Sequence, residues 1–439
     1  MGHALLYIGG VILFVIGIAL SIGLHEFGHL VPGKIFNVKV TQYFIGFGKT
    51  LWSKRRGETE YGIKAIPLGG YVKLVGMLPP AGGSGPEGED VATRPTGMFA
   101  QLVSDAKRAE YEHVDAADHD RLFYRQPVWK RITIMISGVA TNLVLAFILF
   151  ALVFMAYGVR EPSMTIGAVS QCVKVAKGGS DPGPCGPKDP LTPAAAAGLK
   201  PGDKVLSFDG HQITDYWELQ NRVRAYSGSA PTTIVVKRGD QQLSLPITPA
   251  PESLPSLDDP AKRVEAHFIG VSPTFERQGQ SLGYVTSMMV DQTGATLSAL
   301  GHLPQKLWHV ARAAVGAEER DPDSLMSVVG AGRVAGEIAA QEENSVGDRL
   351  ATIALLLGSL NLFLGLINLI PLPPFDGAGV ATALVEAVRS RWARIRGRPD
   401  PGVIDSGKLL PVTYAMAILL LLVSAVLIYA DIVAPVSIS

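Results

Sequence analysis

Cysteine is almost absent from this chain: its 439 residues contain two. That is too few for a one-chain iron–sulfur cluster or a cysteine-ligated zinc finger, so any metal must be held by His and carboxylate. Charge is scarce as well, at 18% of residues against about 25% in soluble proteins. Lys plus Arg and Asp plus Glu balance at 39 each, and no compact basic run interleaves with aromatics, which argues against a nucleic-acid partner. In place of charge stand four apolar runs, at about 4–24, 132–157, 350–370 and 410–432. Each is long enough to cross a hydrocarbon core of about 30 Å at about 1.5 Å per residue. An entirely soluble protein is excluded, and a polytopic α-helical membrane protein with four transmembrane helices is predicted. The first run lacks a basic leader and exceeds a signal-peptide core of about 7 to 15 residues, so it reads as a retained span.

Lys and Arg concentrate on the cytoplasmic side of spans. Residues 31–131 hold 15 of the 39, among them Lys54, Arg55, Arg56, Lys130 and Arg131. The connection after the third span is also basic, with Arg389, Arg391, Arg394, Arg396, Arg398 and Lys408. Both loops are therefore expected inside, both termini outside, and 158–349 outside by counting spans. The expected organisation is a first span at 1–31, hairpins at 32–78, an insertion and linker at 79–131, a second span at 132–157, an outer domain at 164–250, an amphipathic helical region at 251–348, a third span at 349–377, a cytoplasmic loop at 378–409 and a fourth span at 410–432.

In the outer segment, Gly198-Leu199-Lys200-Pro201-Gly202-Asp203, a short apolar run, Asp209-Gly210 and an expected helix at 215–225 form a strand–turn–strand pattern. This wording resembles a single PDZ domain, a module that adds an extended peptide to a sheet edge. Cys172 and Cys185, 13 positions apart, flank a Gly/Pro-rich stretch; on an oxidising face they either pair or stay as free thiols, with a structural role in both cases. Residues 79–119 are poor in large apolar side chains and read as a solvated insertion of little fixed structure. From 278 to 340 the spacing turns helical, with Leu300, Leu303, Leu307, Trp308 and Val310 as an apolar stripe.

At the inner end of the first span stands His25-Glu26-Phe27-Gly28-His29. On a helix the two histidines share one face and can hold one zinc, with Glu26 beside them as a base toward water. Three ionisable side chains at the edge of a span are costly unless paired or metal-bound. A catalytic zinc wants a third protein ligand, and none of the other histidines lies in one of the four apolar runs. The third span ends in Asn368-Leu369-Ile370-Pro371-Leu372-Pro373-Pro374-Phe375-Asp376-Gly377, where the prolines stop the helix and leave an extended, carbonyl-rich backbone. The first and third spans run the same way, so Asp376 reaches the level of His25 and His29 and is the expected third ligand. Asn368 is read either as a helix-packing amide or as a hydrogen-bond donor to substrate or oxyanion. Gly138 and Asn142, four apart on the second span, read as helix packing.

HEFGH, the Asn368–Gly377 wording, the intervening PDZ unit and Ile66-Pro67-Leu68-Gly69-Gly70-Tyr71-Val72 together resemble the site-2 protease family of intramembrane zinc metalloproteases, in its bacterial RseP-like branch. The resemblance covers almost the whole chain. It implies one zinc per chain on His25, His29 and Asp376, Glu26 as catalytic acid/base, and membrane-associated β-hairpins whose Gly69, Gly70 and Tyr71 help receive substrate. The hairpin strands are expected at 39–47 and 61–74, with Gly69 and Gly70 between strands. The implied activity is hydrolysis within the spans of single-span proteins such as anti-sigma factors, or of signal-peptide remnants, in a bacterial inner membrane, with the outer PDZ domain excluding bulky substrates or binding a peptide. Two departures stand out: Ser137-Gly138 replaces the family's usual Gly-Pro, and the 79–119 insertion is not a general family feature. A metal carrier and an inactive scaffold are the rival readings. Neither needs a base beside the metal, and the chain has no evident repeat of the kind carriers show.

Overall fold

The computed structural model describes residues 2–79, 111, 114–173, 185–186, 189–228, 230–257, 262–321 and 324–436. In chain order the elements are α1 (Gly2–Ile35), β1 (Val40–Arg56), β2 (Thr59–Leu74), α2 (Val128–Ala151, continued by a π-helical stretch Leu152–Tyr157), β3 (Val159–Val169), β4 (Lys204–Phe208), β5 (His211–Gln212), α3 (Tyr216–Arg224), β6 (Thr232–Arg238), β7 (Gln241–Ile247), β8 (Ala250–Pro255), β9 (Arg263–Phe268), β10 (Val271–Gln278), α4 (Leu282–Gly301), α5 (Leu303–Ala314), α6 (Val328–Ala340), α7 (Val346–Ile367), α8 (Asp376–Ile395) and α9 (Leu410–Val433). They divide into two compact units, Met1–Val153 with Ser281–Ser439, and Phe154–Gln280.

Among the described residues four helices are long and apolar enough to cross a membrane: Gly2–Ile35, Val128–Tyr157, Val346–Ile367 and Ser406–Val433. Much of their apolar surface has no protein cover, as with Leu421 at 70% exposure; a lipid-facing helix requires no other arrangement, because its backbone is satisfied internally. Without a hydrophobic force between helices in lipid, close packing depends on small residues, and α1 shows this along its length. A Cβ at Gly10 would meet that of Ala339 on α6 at 2.4 Å, one at Gly17 would meet Leu357 of α7 at 2.6 Å, and one at Gly28 would meet Ser137 O of α2 at 2.7 Å. The helices can approach only because those side chains are missing.

The long β1–β2 pair packs against α1. Residues 42–45 are matched twice, to 73–70 on one side and to 60–63 on the other, so the two strands curl into a four-segment sheet with 70–74 on one margin. Gly46 and Gly48, at φ +91° and +83°, make the bend of β1 that this curling needs. Gly69 and Gly70 lie inside β2, not between strands as expected; a paired glycine reads as a turn, but here it permits close approach. Behind the sheet, Glu58 at the hairpin tip binds Lys34 and Arg121, each at 2.8 Å, and Asp118 binds Arg121 at 3.0 Å and Lys39. Burial works to raise the Glu58 carboxyl, but the Lys34 and Arg121 bonds outweigh it and hold that carboxyl below the ordinary range. The 79–119 insertion falls mostly outside the described residues. Its far end is not the solvated strand of chain expected, because Asp118 is buried in this ion network.

The third helix stops at Ile367, just ahead of the prolines expected to end it within 349–377. Two further expectations are corrected. Asn368 to Phe375 run through tight turns, such as Ile370 N–H to Ile367 O and Phe375 N–H to Leu372 O, both 3.0–3.1 Å, not an extended segment. The 378–409 connection is largely α8, a 20-residue helix that begins at Asp376 itself.

In the second unit, β10-β3-β4-β6-β7 form one sheet with β5 paired to β4, over a core that includes Ile166, Phe208, Leu219 and Ile234. The sheet extends to Gln278, so this domain exceeds its expected 164–250 limit, and β8, β9 and β10 replace the front of the expected helical region. The apolar stripe at 300–310 is also not one face, since Val310 is 1% exposed and Trp308 64%, and the helix restarts at Leu303. Asp203 takes Arg238 through two bonds of 2.7 and 2.8 Å. Arg238, together with the Lys200 N–H, holds its carboxyl below the usual range against the effect of burial. Cys172 and Cys185 are joined, with Cα atoms 6.0 Å apart, while the Gly/Pro stretch between them lies outside the described residues.

Candidate metal centre

Helical period brings His25 and His29 to one face of α1, their rings edge-on with centroids 4.9 Å apart. Asp376 arrives from the far side because of a specific local fold. The prolines at 371, 373 and 374 end α7, and the chain doubles back so that Gly377 N–H donates to Asn368 O at 2.7 Å. A Cβ at Gly377 would fall 2.4 Å from Leu369 O, so the residue after Asp376 has to be glycine.

The three donor atoms form a nearly equilateral triangle: His25 Nε2 to His29 Nε2 3.3 Å, and each Nε2 to Asp376 Oδ2 3.2 Å. They are the one such donor group among the described residues. Tetrahedral zinc with bonds of about 2.0–2.1 Å separates its ligands by about 3.3 Å, which is the spacing found. The polar accounting agrees. His29 Nδ1 donates to Ile134 O at 2.7 Å, which leaves a lone pair on His29 Nε2. Asp376 Oδ2 is buried without a well-formed hydrogen bond. Lone pairs converging at this distance repel unless a cation sits among them, so the donor set fits zinc. The site retains an open side, with side-chain exposures of 12% for His25 and 20% for Asp376, as a fourth, exchangeable position needs.

Glu26 follows His25 and faces β2. The Val72 backbone N–H bonds its carboxylate, and a Cβ at Gly70 would lie 3.0 Å from Glu26 Cγ. Tyr43 Oη anchors the sheet to α1 by donating to Gly23 O at 2.8 Å. A Cβ at Gly69, whose φ is +117°, would lie 2.0 Å from the Phe47 ring. Tyr71 stacks with Phe44 and Phe47 at 5.6 and 6.4 Å.

Asn368 caps α7 and serves the site through its backbone carbonyl; its half-buried side chain is left for other partners. Gly138 does more than pack helices: a Cβ there would lie 2.2 Å from His29 Nε2. Asn142 is 1% exposed in the α2–α7 seam near Gly365, with Oδ1 buried and unpartnered. Sequence reasoning missed the Ile134 carbonyl, for which a backbone atom gives no signal, and the Ser21–Asn361 pair at 2.9 Å, whose signal is an amide inside an apolar run. A cavity of about 220 Å³ opens beside Asp376, lined by Arg131, Met135, Phe375, Thr382 and Glu386 among others.

Comparison with known proteins agrees with this chemistry. The model of peptidase family M50 matches residues 13–398. Zinc metalloprotease Rip1 of Mycobacterium tuberculosis is 31% identical over 450 residues, covering 98% of this chain and 99% of the relative. Its namesake in Mycolicibacterium smegmatis is 30% identical over 98% of each, and metalloprotease MmpA of Caulobacter vibrioides is 28% identical over 87% of each. With a zinc-shaped donor triangle beside a glutamate, and a family match across most of its length, the chain belongs to peptidase family M50, the site-2 protease family, and is a zinc metalloendopeptidase.

Proposed function

We propose that this protein hydrolyses peptide bonds inside the transmembrane segments of single-span membrane proteins. The observation that carries the reading is the position of the donor triangle: His25 and His29 lie on a helix long and apolar enough to span a membrane, next to Glu26, and Asp376 lies just beyond the end of another. His25, His29 and Asp376 would hold one zinc per chain. When bound, zinc supplies a Lewis acid that acidifies water and polarises a peptide carbonyl. Glu26 takes the proton from water on its carboxylate, kept in place by the Val72 N–H, and returns it to the leaving amine. The His29–Ile134 bond keeps that ring in the tautomer that presents Nε2.

A helical substrate protects its own carbonyls by hydrogen bonding, so it must unwind first. The 70–74 margin of the curled sheet, with Val72 beside Glu26, supports a role for Gly69, Gly70 and Tyr71 in holding the unwound strand by backbone pairing. The Asn368 amide donates to the substrate backbone or to the oxyanion. Substrates with helix-weakening residues in their spans are favoured, with anti-sigma factors and signal-peptide remnants as the candidate classes. The concentration of Lys and Arg in 31–131 supports an active site facing the cytoplasm, termini outside, and the second unit as an extracytoplasmic PDZ domain in a bacterial inner membrane. Its sheet, with α3 as the expected helix, supports the PDZ reading.

The test is cleavage of a tagged single-span protein by the purified protein in detergent or proteoliposomes, with product masses locating the cut. The expected cut falls within the substrate's apolar span and stops when zinc is chelated. Cuts confined to soluble segments, or zinc transport into sealed vesicles without cleavage, would contradict the proposal.

A further inference from the structure

Two helices outside the HEFGH segment support the donor triangle. The α2 helix provides the Ile134 carbonyl that orients His29 and the Gly138 surface that clears its ring; α8 begins with Asp376. A carboxylate at the first residue of a helix moves with that helix, so the triangle closes only if α8 is fixed relative to α2. The packed surfaces are small here, with Gly379 of α8 facing Met135 of α2 closely enough that a Cβ would lie 3.0 Å from the sulfur.

One charged contact links the two helices. Arg131, three residues before Ile134, pairs through Nη2 with Glu386 Oε2 of α8, and the two residues are 7% and 4% exposed. The other oxygen of Glu386 accepts the Ile404 N–H at 2.7 Å, so the carboxylate is held from two sides. Arg131 and Glu386 both line the cavity beside Asp376. A buried pair of this kind is weak evidence for net stability, since desolvation offsets attraction, but it is directional.

We propose that Arg131 and Glu386 are positioning residues for the metal: their buried pair sets α8 against α2 and so places the Asp376 carboxylate against His25 and His29. The inference rests on the zinc reading of the site. A comparable buried pair, Arg320 with Asp431 at 2.7 Å, ties α9 to the segment after α5 and supplies a control that shares burial but touches neither α2 nor α8.

The experiment measures, on the full-length protein in detergent, zinc affinity by chelator competition, the visible absorption of the cobalt(II)-substituted protein, and thermal unfolding of the metal-free form. Glu386→Gln and Arg131→Met are expected to lower zinc affinity about 10- to 100-fold, the size seen for groups that orient metal ligands, and to weaken or shift the cobalt bands. Arg131→Lys restores most of the affinity and is the variant read if Arg131→Met does not fold. Arg320→Met lowers the unfolding temperature and leaves zinc affinity and cobalt bands unchanged. Unchanged affinity and bands in Glu386→Gln, or an equal loss in Arg320→Met, overturns the proposal. A wild-type protein that takes up no zinc would instead refute the zinc reading beneath it.

Discussion

Glu26→Gln should retain zinc and lose hydrolysis. Glutamine has nearly the same shape, and its carbonyl still accepts the Val72 N–H, so the β2 margin and the donor triangle stay as they are. It cannot take a proton from water. General-base action contributes about 10²- to 10⁴-fold to rate, and a drop of that size in cleavage of a single-span substrate is expected. Zinc content near that of wild type, measured on the same preparation, separates loss of the base from loss of the site. A variant that holds zinc and still cleaves at the wild-type rate would remove Glu26 from the mechanism and, with it, the main argument against a metal carrier or a scaffold.

Gly138→Ala should cost the metal itself. The added Cβ would fall 2.2 Å from His29 Nε2 and 2.5 Å from its Cε1, far inside contact distance. The imidazole cannot retreat without giving up its 2.7 Å bond to Ile134 O, and α2 cannot retreat while Gly28 and Thr141 pack in the same seam. With His29 displaced, the triangle loses one corner. The expected loss of zinc affinity is at least about 100-fold, the upper end of what disturbed orientation of a ligand costs, and activity falls with it. Gly9→Ala is the matched control on α1, since nothing lies within 4 Å of its Cβ; chelator competition should give it wild-type affinity.

The donor triangle was open to sequence reasoning because two of its corners follow from helical period and the third from counting spans. His25 and His29 are four apart on a helix, and Asp376 follows a run of prolines that can only end one. The helix that Asp376 begins was hidden for a physical reason: its Arg-rich, weakly apolar composition reads as a cytoplasmic loop, and only the Gly377–Asn368 bond shows that the proline segment coils into turns and restarts a helix. Gly69 and Gly70 read as a turn because glycine pairs usually supply one. The contact that requires them, the approach of β2 to Glu26 and Phe47, is tertiary. Gly138 has the same ambiguity. A small residue in a span announces close approach but not to what, and here the neighbour is the His29 ring. The Ile134 carbonyl and the α2–α8 charge pair, separated by 255 positions, leave no local pattern at all.

Zinc-edge X-ray absorption on the purified protein tests the convergence of three distant side chains on one ion most directly. The predicted spectrum has nitrogen and oxygen neighbours only, at about 2.0–2.1 Å, with the outer-shell scattering of two imidazoles; His25→Ala should remove one imidazole's share, and Asp376→Ala should weaken zinc binding. Full zinc retention in Asp376→Ala with an unaltered spectrum would contradict the account.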